Sequence, residues 1–338
     1  MERKFGVVLI TGISGSGGSY MAEHILEHHP KVEVHGVVRP TTIEKENNGN
    51  LVNILDKVYI HPCHLSNKMW LKDVLLQILP EAIFHFSSDA NVRESFYNKI
   101  YVLENNIVFC GLNFFQAILE ICDDENPLWH PVIMHCSTSE VYGTVRQEYI
   151  PIKETQPMQA SSPYGVSKIA QDMMAEEYFT KYGLNTIRTR MFTYISPRRK
   201  NIFATAFAMQ VARIEAGLQE ELIHGNLDSV RTIVDVRDAM EAYWVAASKC
   251  KFGEAYNIGG RKVISVGEFL ALLKSKAKCR IPSRVNQELL RPSDVTLQIP
   301  DTTKFKTETD WSPKYSFEET VEYLLEHCRQ QVAREVQK

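Results

Sequence analysis

The stretch VVLITGISGSGGSY, Val7 to Tyr20, sets an apolar run directly before glycines at positions 12, 15 and 18. A strand that turns sharply into a helix leaves backbone N–H groups unpaired at the helix start, where the helix dipole favours negative charge. Glycines in such a turn let phosphate oxygens approach the backbone, and the last one lets the helix pack against the strand. A tight turn without a ligand is the alternative. The pattern predicts a turn that binds a dinucleotide pyrophosphate through Gly12, Ser14, Gly15, Ser16 and Gly18.

The composition is that of an ordinary globular protein. With 338 residues the chain is longer than one comfortable core, so we expect two domains. The net charge of -3 argues against nucleic acid as a partner, because such binding needs a strongly basic face. The seven cysteines never form a C-x-x-C pair, which indicates reduced thiols in a cytoplasmic protein. We expect no metal site, because the His pairs lack a third ligand, and no stretch long enough to span a membrane.

Short runs rich in β-branched residues alternate with amphipathic segments through the first half of the chain. This alternation is typical of a parallel sheet covered on both faces and predicts an α/β, Rossmann-type doubly wound fold. The predicted strands cover residues 5–11, 32–38, 58–61, 82–86 and 132–137, and segments 184–190 and 255–258 rejoin the sheet. We therefore expect a dinucleotide-binding domain at 1–190 plus about 225–262, with a smaller interleaved α/β domain at 191–224 plus about 263–338.

The second predicted strand ends in VHGVVRP, which puts Arg39 where an Asp or Glu would bind the ribose hydroxyls of NAD. A carboxylate there would repel a 2′-phosphate, whereas a guanidinium can pair with it through two hydrogen bonds. Arg39 therefore favours NADP over NAD as the cofactor. A solvated charge at the strand end is the alternative interpretation.

The stretch SSPYGVSK contains the pair Tyr164-x-x-x-Lys168 at the start of a long predicted helix, residues 164–182, which Gly183 would cap. Residues four apart lie on one helix face. There the ammonium of Lys168 would lower the pKa of the Tyr164 phenol and hold the nicotinamide ribose, so that the phenol could exchange a proton with a sugar hydroxyl. The pair alone is common and mostly structural. Because it follows a glycine-rich strand turn, we predict that both residues bind the cofactor and act in catalysis.

With these motifs the chain resembles, over nearly its whole length, the extended short-chain dehydrogenase/reductases that act on nucleotide sugars. Within that group it is most similar to the GDP-mannose 4,6-dehydratases, to their relatives acting on GDP-manno-heptose, and to the GDP-4-keto-6-deoxymannose reductases. The resemblance implies a homo-oligomeric lyase of deoxysugar biosynthesis. The phrases that carry it are TGISGSGG from Thr11, STSEVYG from Ser137, SPYGVSK from Ser162, SPRR from Ser196, VARIEAGLQEELIHGNLDSVRTIVDVRDAMEAYW from Val211 and RPSD from Arg291.

The resemblance implies a division of labour within STSE, residues 137–140. A 4,6-dehydratase oxidises C4 of the sugar, removes the C5 proton, expels the C6 hydroxyl as water and returns the hydride to C6. By resemblance, Thr138 polarises the C4 oxygen, Glu140 removes the C5 proton, and Ser139 or a water assists the departure at C6. A 4-reductase needs no such Glu, yet RPSDV from Arg291 resembles the reductases' version of that segment. The dehydratase is the favoured hypothesis, an NADPH-dependent reductase of a GDP-4-keto-6-deoxy sugar is the alternative, and a binding protein without turnover is the third.

The resemblance also implies where a nucleotide sugar, most simply a GDP-sugar, would bind. Arg231 and Arg291 match positions that hold the substrate diphosphate. Arg199 lies where the family approaches both cofactor and nucleotide. Thr193 and Asn226 complete the expected substrate contacts.

Three positions depart from the family pattern. His64-Leu65 replaces the usual Asp-Leu that meets the adenine. Asp89 would bring a negative charge near the cofactor phosphates unless it points away. Thr193 stands where relatives commonly have Asn. The catalytic helix and the segment 105–121 are the pair through which these enzymes form homodimers or homotetramers, so we expect that assembly here.

Overall fold

The computed structural model describes residues 2–41, 49–200, 202–290 and 297–337. Its centre is a seven-stranded sheet in the order β3-β2-β1-β4-β5-β6-β11, and every neighbouring pair in it is parallel. This order is that of a doubly wound fold, which confirms the predicted Rossmann-type α/β class. The strands of the sheet are β1 (Val7–Thr11), β2 (Glu33–Val38), β3 (Tyr59–Pro62), β4 (Ala82–His85), β5 (Val132–Thr138), β6 (Thr186–Met191) and β11 (Ala255–Ile258).

The turn between β1 and helix α1 (Ser16–His28) has the close geometry that its glycines predict. Gly12 has φ +70, a conformation that side chains disfavour. A Cβ on Gly18 would lie 2.3 Å from the Gly12 carbonyl oxygen, so any larger residue would push α1 away from the turn. The third glycine of the motif therefore sets how closely the helix packs on the strand.

Helices cover both faces of the sheet. One core cluster joins α1 and α7 (Val236–Lys249) to the sheet, with Phe84 stacked on Trp244 at 5.8 Å between ring centroids. The remaining helices of the first half are α2 (Lys68–Ile78), α3 (Val92–Tyr97), α4 (Lys99–Glu125) and α5 (Pro163–Tyr182). The other core cluster joins α2, α4 and α5 to the opposite face of the sheet around Phe114 and Phe115.

Helix α4 corrects the expectation that no segment reaches the length of a membrane span. Its 27 residues have a best-window mean hydropathy of 1.3, which is long and apolar enough to cross a membrane. Of that window, 56% is buried inside the protein. Its apolar character is thus that of a core helix, because it packs against the sheet, α2 and α5. Within it, Glu104–Asn113 has π-helical geometry.

The second half of the chain adds small sheets and a third core cluster. Strand β9 (Val230–Thr232) pairs with β12 (Val263–Ser265) and β14 (Leu297–Gln298). The division into two domains stays a prediction. Contacts cross its proposed boundary, because β9 of the first predicted domain pairs with β12 and β14 of the second. Phe305 of the second predicted domain belongs to the first core cluster. The other elements are β7 (Tyr194–Ile195), β8 (Leu222–His224), β10 (Val234–Asp235), β13 (Ser283–Val285), α6 (Phe203–Glu215), α8 (Val266–Ser275), α9 (Thr303–Thr309) and α10 (Phe317–Val336).

Two histidines lie inside the main core. His85 is 1% exposed, and its ring nitrogens lie 2.8 Å from Thr11 Oγ1 and 2.7 Å from the Cys110 carbonyl. His135 is fully buried beside it, with ring centroids 5.7 Å apart. Burial, assisted by the charge of Lys168, lowers the pKa of His85 to about 3 and that of His135 well below its usual value. Both rings are therefore neutral in the folded protein.

Because the His85 and His135 rings stay neutral in the folded protein, we expect the protein to lose stability in mild acid. Below pH 6.5 the unfolded chain protonates them and the folded chain does not, so the free energy of unfolding falls as the pH falls, while above pH 6.5 they contribute no dependence. At pH 5.5 each ring should lower that free energy by about 1.4 kcal/mol. Denaturant unfolding followed from pH 7.5 to 5.5 measures the effect. His135→Phe should remove the part of this fall in the free energy of unfolding that comes from the His135 ring.

His130→Phe is the matched control, because His130 is exposed. This variant should keep the wild-type pH dependence. If His135→Phe keeps it too, the interior of the fold does not hold that ring neutral.

Candidate active site

A cavity of about 560 Å³ opens at the carboxyl ends of β1, β2 and β4, where the strand order reverses. Doubly wound sheets bind their ligands at this point. The cavity brings together residues from six separate segments of the chain. Those of its lining residues that the sequence predicts for cofactor binding are Gly12, Ser14, Gly15, Ser16, Arg39, His64, Leu65 and Arg199.

The glycine turn forms one end of the cavity. Gly15 is the N-cap of α1 and provides no side-chain cap, so a bound anion could accept hydrogen bonds from the first N–H groups of the helix. The SPRR segment lies against this turn, because the hydroxyls of Ser16 and Ser196 are 2.6 Å apart. Arg198 and Arg199 also line the cavity. This end therefore offers backbone donors and positive charge to a diphosphate.

Arg39 lies at the other end of the cavity. Its guanidinium donates to Tyr101 Oη and Asn105 Oδ1, both at 3.2 Å. His64 is beside it, since burial and then the charge of Arg39 lower the pKa of His64. The His64 Nδ1 is 2.6 Å from the Ser66 hydroxyl. Arg39 is thus held over the cavity by α4, in a place that fits a 2′-phosphate.

Asp89 lines the cavity but is engaged in its own turn. Its Oδ1 accepts from the Asn91 N–H at 3.2 Å, and its backbone N–H donates to Asn106 Oδ1 at 2.7 Å. The Asn106 amide in turn donates to the Ser167 hydroxyl at 2.9 Å. Asn106, on the π-helical part of α4, therefore connects the cavity wall to the catalytic helix.

Tyr164 and Lys168 lie in the first two turns of α5. The Ser162 hydroxyl caps this helix by accepting from the Gly165 N–H at 3.0 Å, and Gly183 ends it with φ +73. These bounds confirm the helix and the cap that the sequence predicts. The Tyr164 and Lys168 side chains are almost fully buried, with 6% and 3% exposure.

The ionisation of the pair differs from the expectation. Burial raises the pKa of Tyr164, and the charge of Arg199 and a hydrogen bond with Thr138 offset this only in part. Lys168 Nζ donates to the Cys136 carbonyl at 2.7 Å and to Gln171 Oε1 at 2.6 Å. The net pKa shift of Tyr164 is therefore upward and not the expected lowering; the charge that partly offsets burial is that of Arg199, while the Lys168 ammonium is held by the Cys136 carbonyl and Gln171.

The STSE segment forms the turn at the carboxyl end of β5. Thr138 Oγ1 accepts from the Glu140 N–H at 3.3 Å, and Ser139, 5% exposed, begins a short 3-10 turn. Tyr164 is adjacent, because a Cβ on its neighbour Gly165 would lie 3.0 Å from the Glu140 carbonyl oxygen, and a hydrogen bond with Thr138 lowers the pKa of Tyr164. The structure thus brings together the residues that the sequence assigns to catalysis.

The predicted substrate residues lie on the small sheets and their loops. The Thr193 carbonyl accepts from the Val234 N–H at 3.0 Å, between β6 and β7. Asn226 Oδ1 accepts from the Asp228 N–H at 2.8 Å in the loop before β9. Arg231 is on β9, with its guanidinium 5.4 Å from the Phe203 ring centroid. Arg291 lies outside the described residues.

Asp172 is a site residue that the sequence analysis missed. It is fully buried on α5 and accepts from the Ser137 hydroxyl at 2.6 Å, from Arg190 Nε at 3.0 Å and from Arg188 Nη1 at 3.2 Å. Burial raises its pKa, but the hydrogen bonds and charges of the two arginines outweigh this and lower it overall. Asp172 therefore stays ionised and ties α5 to β5 and β6.

This arrangement can bind a dinucleotide and move protons at its reactive end. The cavity provides a helix N-terminus for a diphosphate and a guanidinium for a further phosphate. Tyr164 is an acid of raised pKa next to a carboxylate, Glu140, that can act as a base. The described residues include no cluster of three or more His, Cys, Asp or Glu side chains placed to hold a metal ion.

The model of the GDP-mannose 4,6 dehydratase family matches residues 9–324. The chain belongs to this family. The human GDP-mannose 4,6 dehydratase is 28% identical, over 96% of this chain and 92% of its own length. The enzyme of the same name from Yersinia enterocolitica is 27% identical, over 97% of this chain and 93% of its own length.

Solved structures share the fold of this family member. RMD from Pseudomonas aeruginosa, solved with NADPH, superposes with a TM-score of 0.81 at 23% identity and covers 96% of this chain and 99% of its own. The dTDP-glucose 4,6-dehydratase of Bacillus anthracis, solved with NAD, has a TM-score of 0.79 at 24% identity and covers 97% of each chain.

The residues that the sequence analysis missed differ in whether a sequence pattern could have revealed them. Asp172 follows Lys168 by four residues, so the same spacing that marks the Tyr164–Lys168 face could have found it. Asn106 lacks such a signal. Gln298, whose Nε2 donates to Glu140 Oε1 at 3.1 Å, is 158 residues away from it and could not be found by spacing.

The Asp172 network predicts a strong dependence of stability on its charge. Asp172→Asn keeps the shape but leaves Arg188 and Arg190 without their buried counter-charge, so the free energy of unfolding should fall by about 3–5 kcal/mol. Chemical denaturation measures this fall. Asp124→Asn, at an exposed position on α4, should change it by less than about 0.5 kcal/mol. Equal stabilities of the two variants would mean that the ion pairs of Asp172 with its two arginines contribute nothing to stability.

Proposed function

We propose that this protein is an NADP-dependent nucleotide-sugar 4,6-dehydratase that converts a GDP-hexose, GDP-mannose or GDP-manno-heptose, to the 4-keto-6-deoxy sugar. The observation that carries the proposal is the meeting of Thr138, Glu140 and Tyr164 at the carboxyl end of β5, where Arg199, which lines the cavity, is near enough for its charge to lower the pKa of Tyr164. Membership of the GDP-mannose 4,6 dehydratase family supports the same chemistry. A 4-reductase of the same fold would have no use for a base at Glu140.

NADP would accept a hydride from C4 of the sugar and return one to C6 when bound in this cavity. The glycine turn and Arg199 would bind its pyrophosphate, and Arg39 its 2′-phosphate. Lys168 would exchange its bonds to Cys136 and Gln171 for the nicotinamide ribose. Leu65 and His64 line the end where the adenine would lie.

The residues of the STSE turn and α5 would move the protons. Tyr164 would accept the proton of the C4 hydroxyl while Thr138 holds that oxygen. Glu140 would remove the proton from C5, made acidic by the adjacent ketone, and Ser139 would assist the C6 hydroxyl to leave as water. Two protons are removed, from O4 and C5, and two are returned, one to the departing hydroxyl and one to C5. The sugar therefore loses one water and no net redox equivalent.

The substrate would bind between the small sheets and this turn. Arg231 is placed by β9 next to β14, whose Gln298 contacts Glu140. A diphosphate held by Arg231 and Arg291 would therefore lie on the side of the site that carries the base. Thr193 and Asn226 are proposed to contact the sugar or nucleotide.

We also propose a homodimer, or a tetramer built from it, in the cytoplasm. Helices α4 and α5 expose apolar side chains that a second copy could cover, and all seven cysteines are free thiols, as expected in a reducing compartment. The apolar side chains exposed at or next to these helices are Tyr97, Ile100, Tyr101, Val108, Leu112, Val166 and Met173.

Glu140→Gln should separate the steps of the reaction. The purified, NADP-loaded protein is incubated with GDP-mannose, GDP-manno-heptose, GDP-glucose and UDP-glucose, and mass spectrometry follows the loss of one water. The wild type should dehydrate a GDP-hexose without consuming NADPH. Glu140→Gln should lower the dehydration rate by a factor of about 10²–10⁴, because it removes the base, while C4 oxidation still produces the absorbance of reduced nicotinamide.

Glu148→Gln is the control, since Glu148 lies in the same loop region with a side chain that is 62% exposed. It should behave as the wild type does. Normal dehydration by Glu140→Gln would remove the proposed base. Steady NADPH loss with a 4-keto-6-deoxy sugar, and no dehydration of the panel, would establish the reductase instead.

Arg39→Ala should change which cofactor the protein prefers. Loss of a charged hydrogen bond to the 2′-phosphate should weaken NADP binding by about 10–100-fold and leave NAD binding nearly unchanged. Isothermal titration of each nucleotide measures this. Arg146→Ala, at an exposed position whose side chain is 80% exposed, should alter neither affinity. An unchanged ratio of NADP to NAD affinity in Arg39→Ala would assign Arg39 to the solvated surface.

A further inference from the structure

Gln298 is a buried amide in contact with the proposed base. It is 2% exposed, and its Nε2 donates to Glu140 Oε1 at 3.1 Å. Glu140 itself is half-buried, so several orientations of its carboxylate would otherwise be open to it. A neutral donor fixes one carboxylate oxygen and leaves the other for the substrate. It also adds no charge that would compete for a proton.

The backbone around Gln298 is anchored on both sides. Strand β14 pairs with β9, with Gln298 opposite Arg231 in the register. One residue further on, the Ile152 N–H donates to the Ile299 carbonyl at 2.8 Å, and the Asp301 N–H donates to the Ile152 carbonyl at 2.8 Å. Ile152 is 1% exposed. The amide is therefore presented to Glu140 from a segment that cannot shift freely.

We propose that Gln298 is a positioning residue for proton removal at C5, and that it couples the base to the strand carrying Arg231. This inference rests on the proposed dehydratase function. In the step concerned, the C5–H bond breaks, the proton goes to Glu140, and the electron pair moves into the C4 ketone as an enolate. Opposed residues of paired strands share a sheet face, so a diphosphate on Arg231 and the amide on Glu140 act on one rigid element. Binding energy from the nucleotide end of the substrate is thereby used to orient the base.

Gln298→Met tests the proposal, because Met has a similar length and no hydrogen-bond donor. With the hexose that the wild type dehydrates, kcat should fall about tenfold or more and KM should change by less than about twofold, since a misplaced base affects only the chemical step. Single-turnover absorbance should show reduced nicotinamide accumulating, because C4 oxidation precedes the impaired step. Uptake of solvent deuterium at C5 should slow by the same factor as kcat.

Gln298→Glu is the second variant, in case Met disturbs the packing. It preserves the shape but cannot donate while ionised, so its kcat should fall at least as far. Gln330→Met is the matched control, since Gln330 also donates to a carboxylate, Glu326 at 3.5 Å, on the exposed side of α10. It should leave kcat, KM and the absorbance unchanged.

The outcomes separate this inference from the proposed function. If the wild type dehydrates none of the nucleotide sugars, the proposed function fails and the inference falls with it. If the wild type is active and both Gln298 variants retain its kcat, the positioning role is wrong. A parallel fall of C4 oxidation and dehydration in both variants would also overturn it, because a positioning residue acts on the second step alone.

Discussion

The burial of a lysine and a tyrosine on one face of α5 is the constraint on which the rest of the site depends. An ammonium removed from water is costly unless its N–H groups find acceptors. Lys168 finds them in the Cys136 carbonyl, near the carboxyl end of β5, and in Gln171 of α5 itself. One turn further along, Asp172 is held by Arg188 and Arg190 from β6. Helix α5 therefore cannot slide along the sheet without exposing a charge to an apolar interior.

The position of α5 in turn fixes the parts of the site that come from elsewhere. Its first turn packs so closely on the STSE turn that a Cβ on Gly165 would lie 3.0 Å from the Glu140 carbonyl. Its Ser167 hydroxyl accepts from Asn106 on α4, which also holds the Asp89 backbone in the cavity wall. A single helix thus sets the distance between the cavity and the proposed acid and base. Preorganisation of this kind removes the cost of ordering these groups when a ligand binds.

Local features of the sequence predicted local features of the structure. The glycine turn follows from spacing within a few residues, and so do the face shared by Tyr164 and Lys168 and the end of α5 at Gly183. The doubly wound fold class also followed, because alternating strands and helices leave few topologies open. The apolar run of α4 was overlooked because polar residues such as Asn105, Asn106 and Asn113 interrupt it, although its best window still has a mean hydropathy of 1.3. The direction of the Tyr164 pKa shift did not follow from the spacing of Tyr164 and Lys168, because the shift is set mainly by burial, which depends on how α5 packs in the folded protein.

The contacts that escaped the sequence analysis are those made where the chain returns from its second half. Residues 297–301 pair with β9 on one side and with Ile152 on the other, so the segment beside Glu140 comes from far along the chain. The cavity with its glycine turn, by contrast, is built from the first 200 residues. Two parts of the chain that are far apart in sequence, the first 200 residues and residues 297–301, therefore meet at the Glu140 carboxylate. In the proposed reaction, the groups that act at C4 belong to the first part, whereas the base that acts at C5 is also held by Gln298 of the second, so proton removal depends on both.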